Sequence, residues 1–130
     1  MAAFTAKGIT GNGGNASPYP SSQMGQVFLS EAIMTFTLVY VVLNVAASRS
    51  TKGNSYYGFA IGFAVTCGSL AVGRISGAAF NPAVAVSCGI LNLIHISNIW
   101  LHVIADFLGA AIAARVHMYV DPPPDDDASA

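Results

Sequence analysis

Three long apolar segments dominate the chain. They run over residues 27–47, 56–73 and 99–119. The first contains one charged residue, Glu31, the second contains none, and the third contains Asp106 and Arg115. A helix of about 18 to 21 residues crosses a hydrocarbon core that is roughly 30 Å thick. The pattern therefore predicts an all-α membrane protein with three transmembrane helices.

A fourth apolar stretch, residues 82–94, is too short to cross a bilayer. Asn81 before it has the chemistry of a helix N-cap, and Pro82 suits the first helical turn, where its missing N–H costs no hydrogen bond. We therefore expect a loop that turns into a re-entrant half-helix. Irregular backbone at membrane depth is tolerated only inside protein or beside a water-filled cavity, so this element predicts a pore or a binding site.

Composition supports the membrane class and narrows the function. Of the 130 residues, 54% are hydrophobic and 8% are charged, and the formal net charge is −1. A soluble domain has about 25% charged residues, and a nucleic-acid-binding surface needs a basic patch that this sequence lacks. No nucleophile–base pair, phosphate-binding loop or metal-ligand spacing is visible, so we expect neither an enzyme nor a cofactor or metal site.

The two ends of the chain are polar. Residues 1–24 are rich in Gly, Ser, Asn and Pro and predict a flexible segment before a membrane unit at residues 25–120. Residues 121–130 include the acidic run Asp125–Asp127 after three prolines. We interpret them as a disordered acidic tail rather than a metal site, because no further ligands surround them.

The orientation follows from basic residues in short loops. Arg49 and Lys52 lie between the first two spans, and Arg115 lies near the end of the third. The positive-inside rule makes that side cytoplasmic, although Lys7 and Arg74 oppose it weakly. Three crossings then place the N-terminus outside and the C-terminus in the cytoplasm, with the half-helix entering from the outer face. The sequence does not indicate which membrane holds the protein.

Small residues four positions apart occur in two of the spans. Gly58 with Gly62 forms one such pair, and Gly109 with Ala113 forms the other. Pairs of this kind let helix backbones approach closely in membranes. Both pairs are therefore expected to lie against another helix.

The run Ile75–Ala83 reads ISGAAFNPA, and we call it the NPA loop. It follows an apolar span, and Glu31 lies early in the span before that one. This combination resembles the NPA loop of the aquaporin (major intrinsic protein) family. Members of that family carry two inverted halves, each with three spans and one NPA half-helix. Over about residues 25–120 the chain is similar to the second, C-terminal half.

The resemblance implies functional roles for four residues. Asn81, Pro82 and Ala83 would form the pore motif, in which the Asn81 amide donates hydrogen bonds to passing water and the positive end of the half-helix repels cations. Glu31 would accept hydrogen bonds from the NPA loop and brace it, because a lone carboxylate is costly in hydrocarbon. The alternative is that Asn81 only caps a helix and that Glu31 is a solvated residue near a span end.

Two positions depart from the pattern of water-selective relatives. Those proteins usually have an arginine directly after NPA and a histidine twelve residues before its asparagine, where this chain has Val84 and Ser69. The resulting constriction would be wider, less polar and without a fixed positive charge. Our hypothesis is that an assembled pore passes glycerol, urea or ammonia as readily as water. Arg74 is expected at headgroup level, and Asp106 is expected to face a lumen or a neighbouring subunit, or to be protonated by burial.

Two functions are consistent with these features. The first is a passive transmembrane channel, or half of one, for water and small neutral solutes. One half cannot enclose the family's pore, so this function implies another half-channel or a homo-oligomer, and the resemblance implies a tetramer. The second is a truncated or split membrane subunit that associates with other channel chains and has no transport activity alone.

Overall fold

The computed structural model describes residues 2–11 and 13–122, so Asp125–Asp127 and the rest of the predicted tail from residue 123 lie outside the described residues. Within these residues the fold is all-helical and has no strand. The α-helices are α1 Ala2–Thr10, α2 Ser21–Val42, α3 Tyr57–Ser76, α4 Pro82–Ile90 and α5 Ile99–Val120. A π-helical turn at Leu43–Ala47 extends α2, and 3₁₀ turns lie at Arg49–Thr51 and Ile96–Asn98.

Three helices of the described chain are long and apolar enough to cross a membrane. They are Ser21–Ala47, Tyr57–Ser76 and Ile96–Val120. The predicted all-α fold with three membrane-crossing helices is therefore confirmed. The first helix begins six residues earlier than the apolar pattern, because helical geometry continues through polar residues that can lie outside the hydrocarbon.

The half-helix is shorter than predicted. α4 begins at Pro82, as expected, but ends at Ile90 instead of residue 94. Asn92 has a positive φ of 56°, and a residue in this left-handed conformation ends a helix. The apolar residues that suggested further helix include Ile94, which is only 2% exposed and packs with Ala79 and Ala85. The apolarity of Ile94 reflects burial beneath the NPA loop rather than a helical face.

The N-terminal segment contains a helix that the sequence does not predict. The sequence predicts a flexible segment over residues 1–24, whereas Ala2–Thr10 form the helix α1, which contacts α4. Gly14 N and Ala16 N donate hydrogen bonds to the carbonyl oxygens of Leu91 and Asn92, at 2.7 and 3.0 Å. These bonds satisfy acceptors just beyond the end of α4. Non-local contacts therefore tie this segment to the membrane unit.

The central packing is between α2 and its neighbours α5 and α3. A Cβ atom at Gly109 would overlap the carbonyl oxygen of Ala32 and lie 2.9 Å from the backbone nitrogen of Phe36, so only glycine allows this close crossing of α5 and α2. The expected close packing at Gly58 and Gly62 is not made within the described chain, because a Cβ at either residue would meet no atom within 4 Å. That pair lies on a helix face that α2 does not cover.

Candidate functional site

The NPA loop adopts a backbone conformation that few residues favour. Gly77, Ala78 and Phe80 have φ values of 88°, 55° and 50°. Glycine takes such angles freely, but a non-glycine residue in a sparsely populated conformation costs about 1–3 kcal/mol and needs support from its surroundings. The loop therefore depends on contacts from outside itself.

Glu31 provides the principal contact. It is fully buried on α2, and its two carboxylate oxygens accept hydrogen bonds from Phe80 N at 2.7 Å and Ala79 N at 3.2 Å. A hydrogen bond to a charged group stabilises a fold by about 1.5–3 kcal/mol, which is comparable to the strain of one residue in such a conformation. The structure thus brings Glu31 to the backbone of the NPA loop. Its bracing role stays a prediction.

Tyr19 makes a second support, which the sequence does not predict. Its hydroxyl donates a hydrogen bond to the carbonyl oxygen of Ser76 at 2.9 Å, and Ser76 Oγ accepts from Ala78 N at 3.2 Å. Burial, with a smaller contribution from the negative charge of Glu31, raises the pKa of the Tyr19 phenol, which therefore stays protonated as a donor. An aromatic residue between two prolines is the only local signal for this role.

Asn81 and Pro82 form the start of the half-helix. Asn81 is extended, and its Oδ1 accepts a hydrogen bond from Ala83 N at 2.8 Å, with Pro82 in the first turn. Asn81 is also exposed. This cap uses only the amide oxygen, so the Nδ2 group stays a donor for a molecule outside the helix. Capping and a role as a donor to water are therefore compatible in the same side chain.

The two selectivity positions lie on different helices. Val84 is 43% exposed in the first turn of α4, and Ser69 is half-buried on α3. Arg74 is exposed in the last turn of α3. Among the described residues, the side chains of Ser69 and Val84 make no hydrogen bond or ring contact, and their roles in selectivity stay predictions.

A groove of about 740 Å³ runs between α2 and α3. Its walls include Met34, Tyr40, Asn44, Phe63, Cys67 and Gly68. A Cβ atom at Gly68 would come within 2.9 Å of the Phe80 ring, so the NPA loop packs directly against the groove wall. The Phe80 side chain of the NPA loop therefore lies buried behind this wall of the groove.

Behind Glu31 lie three further buried polar residues, Thr35, His102 and Asp106. With Glu31 they are at most 2% exposed, and we call these four residues the buried polar cluster. His102 Nδ1 lies 3.5 Å from Glu31 Oε1, and Thr35 Oγ1 donates a hydrogen bond to Asp106 Oδ1 at 2.8 Å. Asp106 thus faces α2 inside this chain rather than a lumen or a neighbouring subunit.

Residues 1–117 match the major intrinsic protein family. The chain belongs to this family. The predicted family is therefore confirmed, and the protein is an integral membrane protein of a family whose members are channels rather than enzymes.

The relatives that the chain matches are about twice its length or more. Aquaporin NIP3-1 of Oryza sativa subsp. japonica is 34% identical over 126 residues, which cover 92% of this chain and 39% of the relative. The probable aquaporin TIP-type alpha of Phaseolus vulgaris is 34% identical over 110 residues, which cover 81% of this chain and 43% of the relative. The probable aquaporin AqpM of Archaeoglobus fulgidus is 32% identical over 120 residues, which cover 88% of this chain and 48% of the relative. This partial coverage is consistent with a match to the C-terminal half.

Proposed function

We propose that this chain is one half of a transmembrane channel for water and small neutral solutes. The observation that carries the proposal is the geometry of Asn81. Its oxygen caps a half-helix too short to cross a bilayer, while the residue stays exposed at the end of a loop held by the buried Glu31. A positive helix end and an amide donor at membrane depth orient water and repel cations. The aquaporin names of relatives in plants and an archaeon support this function.

The second half of the pathway would come from another chain. Only 6% of the apolar stretch of α3 is buried within this chain, against 33% for the third span. Phe59, Phe63 and Leu70 on α3 are exposed. A second half-channel would cover this face and close the groove between α2 and α3. The tetramer implied by family resemblance stays a prediction.

The alternative is a subunit that associates with other channel chains and transports nothing alone. It is favoured by the open groove and by the orientation of the chain. Ser48 Oγ donates a hydrogen bond to Asp121 Oδ2, so the ends of the first and third spans lie together. With Arg49 and Lys52 beside Ser48, the positive-inside rule assigns this end to the cytoplasm. A second copy in the opposite topology would conflict with that rule.

Replacing Asn81 with aspartate tests the proposed pore. Asn81→Asp keeps the oxygen that caps α4 but replaces the amide donor with a negative charge. We expect osmotic water permeability to fall about tenfold, because one hydrogen bond to water at the constriction contributes about 1 kcal/mol or more. Stopped-flow light scattering of proteoliposomes under a sucrose gradient measures this permeability.

The matched control is Ser87→Ala, which removes only a hydrogen bond to Ala83 O within the same half-helix. Unchanged permeability in Asn81→Asp would contradict the pore role of Asn81. If correctly inserted wild-type chain adds no permeability to empty liposomes, the alternative of a transport-inactive subunit is supported.

The selectivity hypothesis predicts the effect of restoring the residues of water-selective relatives. In the double variant Ser69→His and Val84→Arg, we expect the ratio of glycerol to water permeability to fall about tenfold or more, because a fixed charge and a bulky ring narrow the mouth. Sucrose and glycerol gradients on the same proteoliposomes give this ratio. Val84→Leu is the control that keeps the position apolar. A wild-type pore that conducts water but excludes glycerol, urea and ammonia completely would contradict the hypothesis.

A further inference from the structure

The buried polar cluster contains more polar atoms than its hydrogen bonds satisfy. Both ring nitrogens of His102 and the Oδ2 atom of Asp106 are buried without a hydrogen-bond partner among the described residues. The 3.5 Å between His102 Nδ1 and Glu31 Oε1 is longer than a strong hydrogen bond. Unsatisfied buried polar groups destabilise a fold, so a cluster of this kind calls for a physical explanation.

The spacing of the four residues makes them one electrostatic unit. Glu31 and Thr35 are four positions apart on α2, and His102 and Asp106 are four positions apart on α5, so each pair lies on one helix face. The close crossing at Gly109 brings these two faces together. The cluster therefore couples α5 to the carboxylate that contacts the NPA loop.

Charge balance limits the states that this unit can adopt. Two backbone hydrogen bonds favour the ionised form of Glu31. A second ionised carboxylate beside it, that of Asp106, is disfavoured unless a proton compensates the extra negative charge. One proton in the cluster compensates this second charge and leaves a net charge of −1. Loss of that proton leaves two negative charges side by side in a dry environment.

We propose that His102 and Asp106 are positioning residues for the NPA loop, and that release of the single compensating proton of the cluster loosens the loop. Two buried carboxylates repel each other, and local opening that admits water relieves this repulsion. The contact between Glu31 and the amides of Ala79 and Phe80 is the contact that opening breaks. The effect on transport rests on the proposed channel function, whereas the effect on the loop does not.

Few other titratable side chains lie near the cluster on the elements that pack around it. The Tyr19 ring, from the N-terminal segment, lies 6.0 Å from the His102 ring. Cys88 on α4 interacts electrostatically with Glu31. Among the described residues, the one close contact between a carboxylate and a basic side chain in this region is Glu31 with His102. The net charge of the cluster is therefore set chiefly by the two carboxyl groups of Glu31 and Asp106.

Amide hydrogen exchange tests the proposal without requiring transport. NMR measures the exchange of individual amides in the full chain, held in lipid nanodiscs, across a pH series. Infrared absorption of the protonated carboxyl group shows at which pH the cluster loses its proton. We expect the protection factors of the Ala79 and Phe80 amides to fall about tenfold as the carboxyl proton is released. The amide of Ala64 in the middle of α3 is the internal reference and stays constant.

Two variants distinguish this effect from a general loss of structure. Asp106→Asn removes the second charge, so the pH-dependent fall disappears while protection stays high. Thr35→Val removes a neutral hydrogen bond of the same cluster and leaves both carboxyl groups in place, so the pH-dependent fall persists.

Protection that does not depend on pH in the wild type, or an unchanged fall in Asp106→Asn, overturns the proposal. A pH-dependent fall in a chain with no permeability at any pH supports it, and shows that only the channel function has failed.

Discussion

Replacing Glu31 with alanine lowers the free energy of unfolding of this chain by about 3–5 kcal/mol, the range found when one partner of a buried charged contact is removed. The variant leaves the amides of Ala79 and Phe80 without their acceptor and removes the carboxylate beside His102. The left-handed residues of the NPA loop lose the contact that offsets their strain. Denaturant-induced unfolding of the chain in mixed micelles, followed by circular dichroism, measures the difference.

Glu31→Gln is the matched control for this prediction. Glutamine has the size of glutamate and keeps one oxygen acceptor, but its NH₂ group faces an amide N–H and cannot bond it. We therefore expect a smaller loss than for alanine, about 1–3 kcal/mol. A loss below about 1 kcal/mol for Glu31→Ala would show that the loop holds its conformation without the carboxylate.

Replacing Gly109 with alanine forces α5 and α2 apart. The added Cβ atom would overlap the carbonyl oxygen of Ala32 and crowd the backbone nitrogen of Phe36, and backbone atoms cannot yield as a flexible side chain does. We expect a loss of about 1–3 kcal/mol in the free energy of unfolding, as for other overpacked sites. The same unfolding experiment measures it.

Gly62→Ala makes the same chemical change at a site with free space. A Cβ atom at Gly62 would meet nothing within 4 Å, and alanine favours a helix over glycine by about 0.5–1 kcal/mol. The two substitutions should therefore shift the free energy of unfolding in opposite directions. Equal shifts would mean that the crossing of α5 and α2 is not held by close backbone contact.

The parts of the fold that sequence predicts well are those with local signals. The three spans are long and apolar, and Asn81 with Pro82 marks the start of α4 through capping chemistry confined to two neighbouring residues. The end of α4 was predicted too late because Ile94 is apolar for a tertiary reason, its burial beneath the NPA loop. A stretch of apolar residues does not distinguish a helical face from a buried loop.

The candidate site was only partly predictable for the same reason. Resemblance to the family pointed to Glu31, but the contacts of Tyr19 with Ser76 and of Thr35 with Asp106 join residues 57 and 71 positions apart. No local pattern records such partners. The one available signal is a spacing of four between polar residues in two apolar helices. Such a spacing places the polar residues on one face of each helix, and two such faces can pair with each other inside a membrane protein.

The contact between Glu31 and the NPA loop also constrains how the protein is made. Ala79 and Phe80 follow Glu31 by 48 and 49 positions, so α2 with Glu31 is translated before them. Until then the carboxylate has no amide partner, and until α5 follows it has no His102. The burial of Glu31 is therefore completed by elements that follow it in the chain.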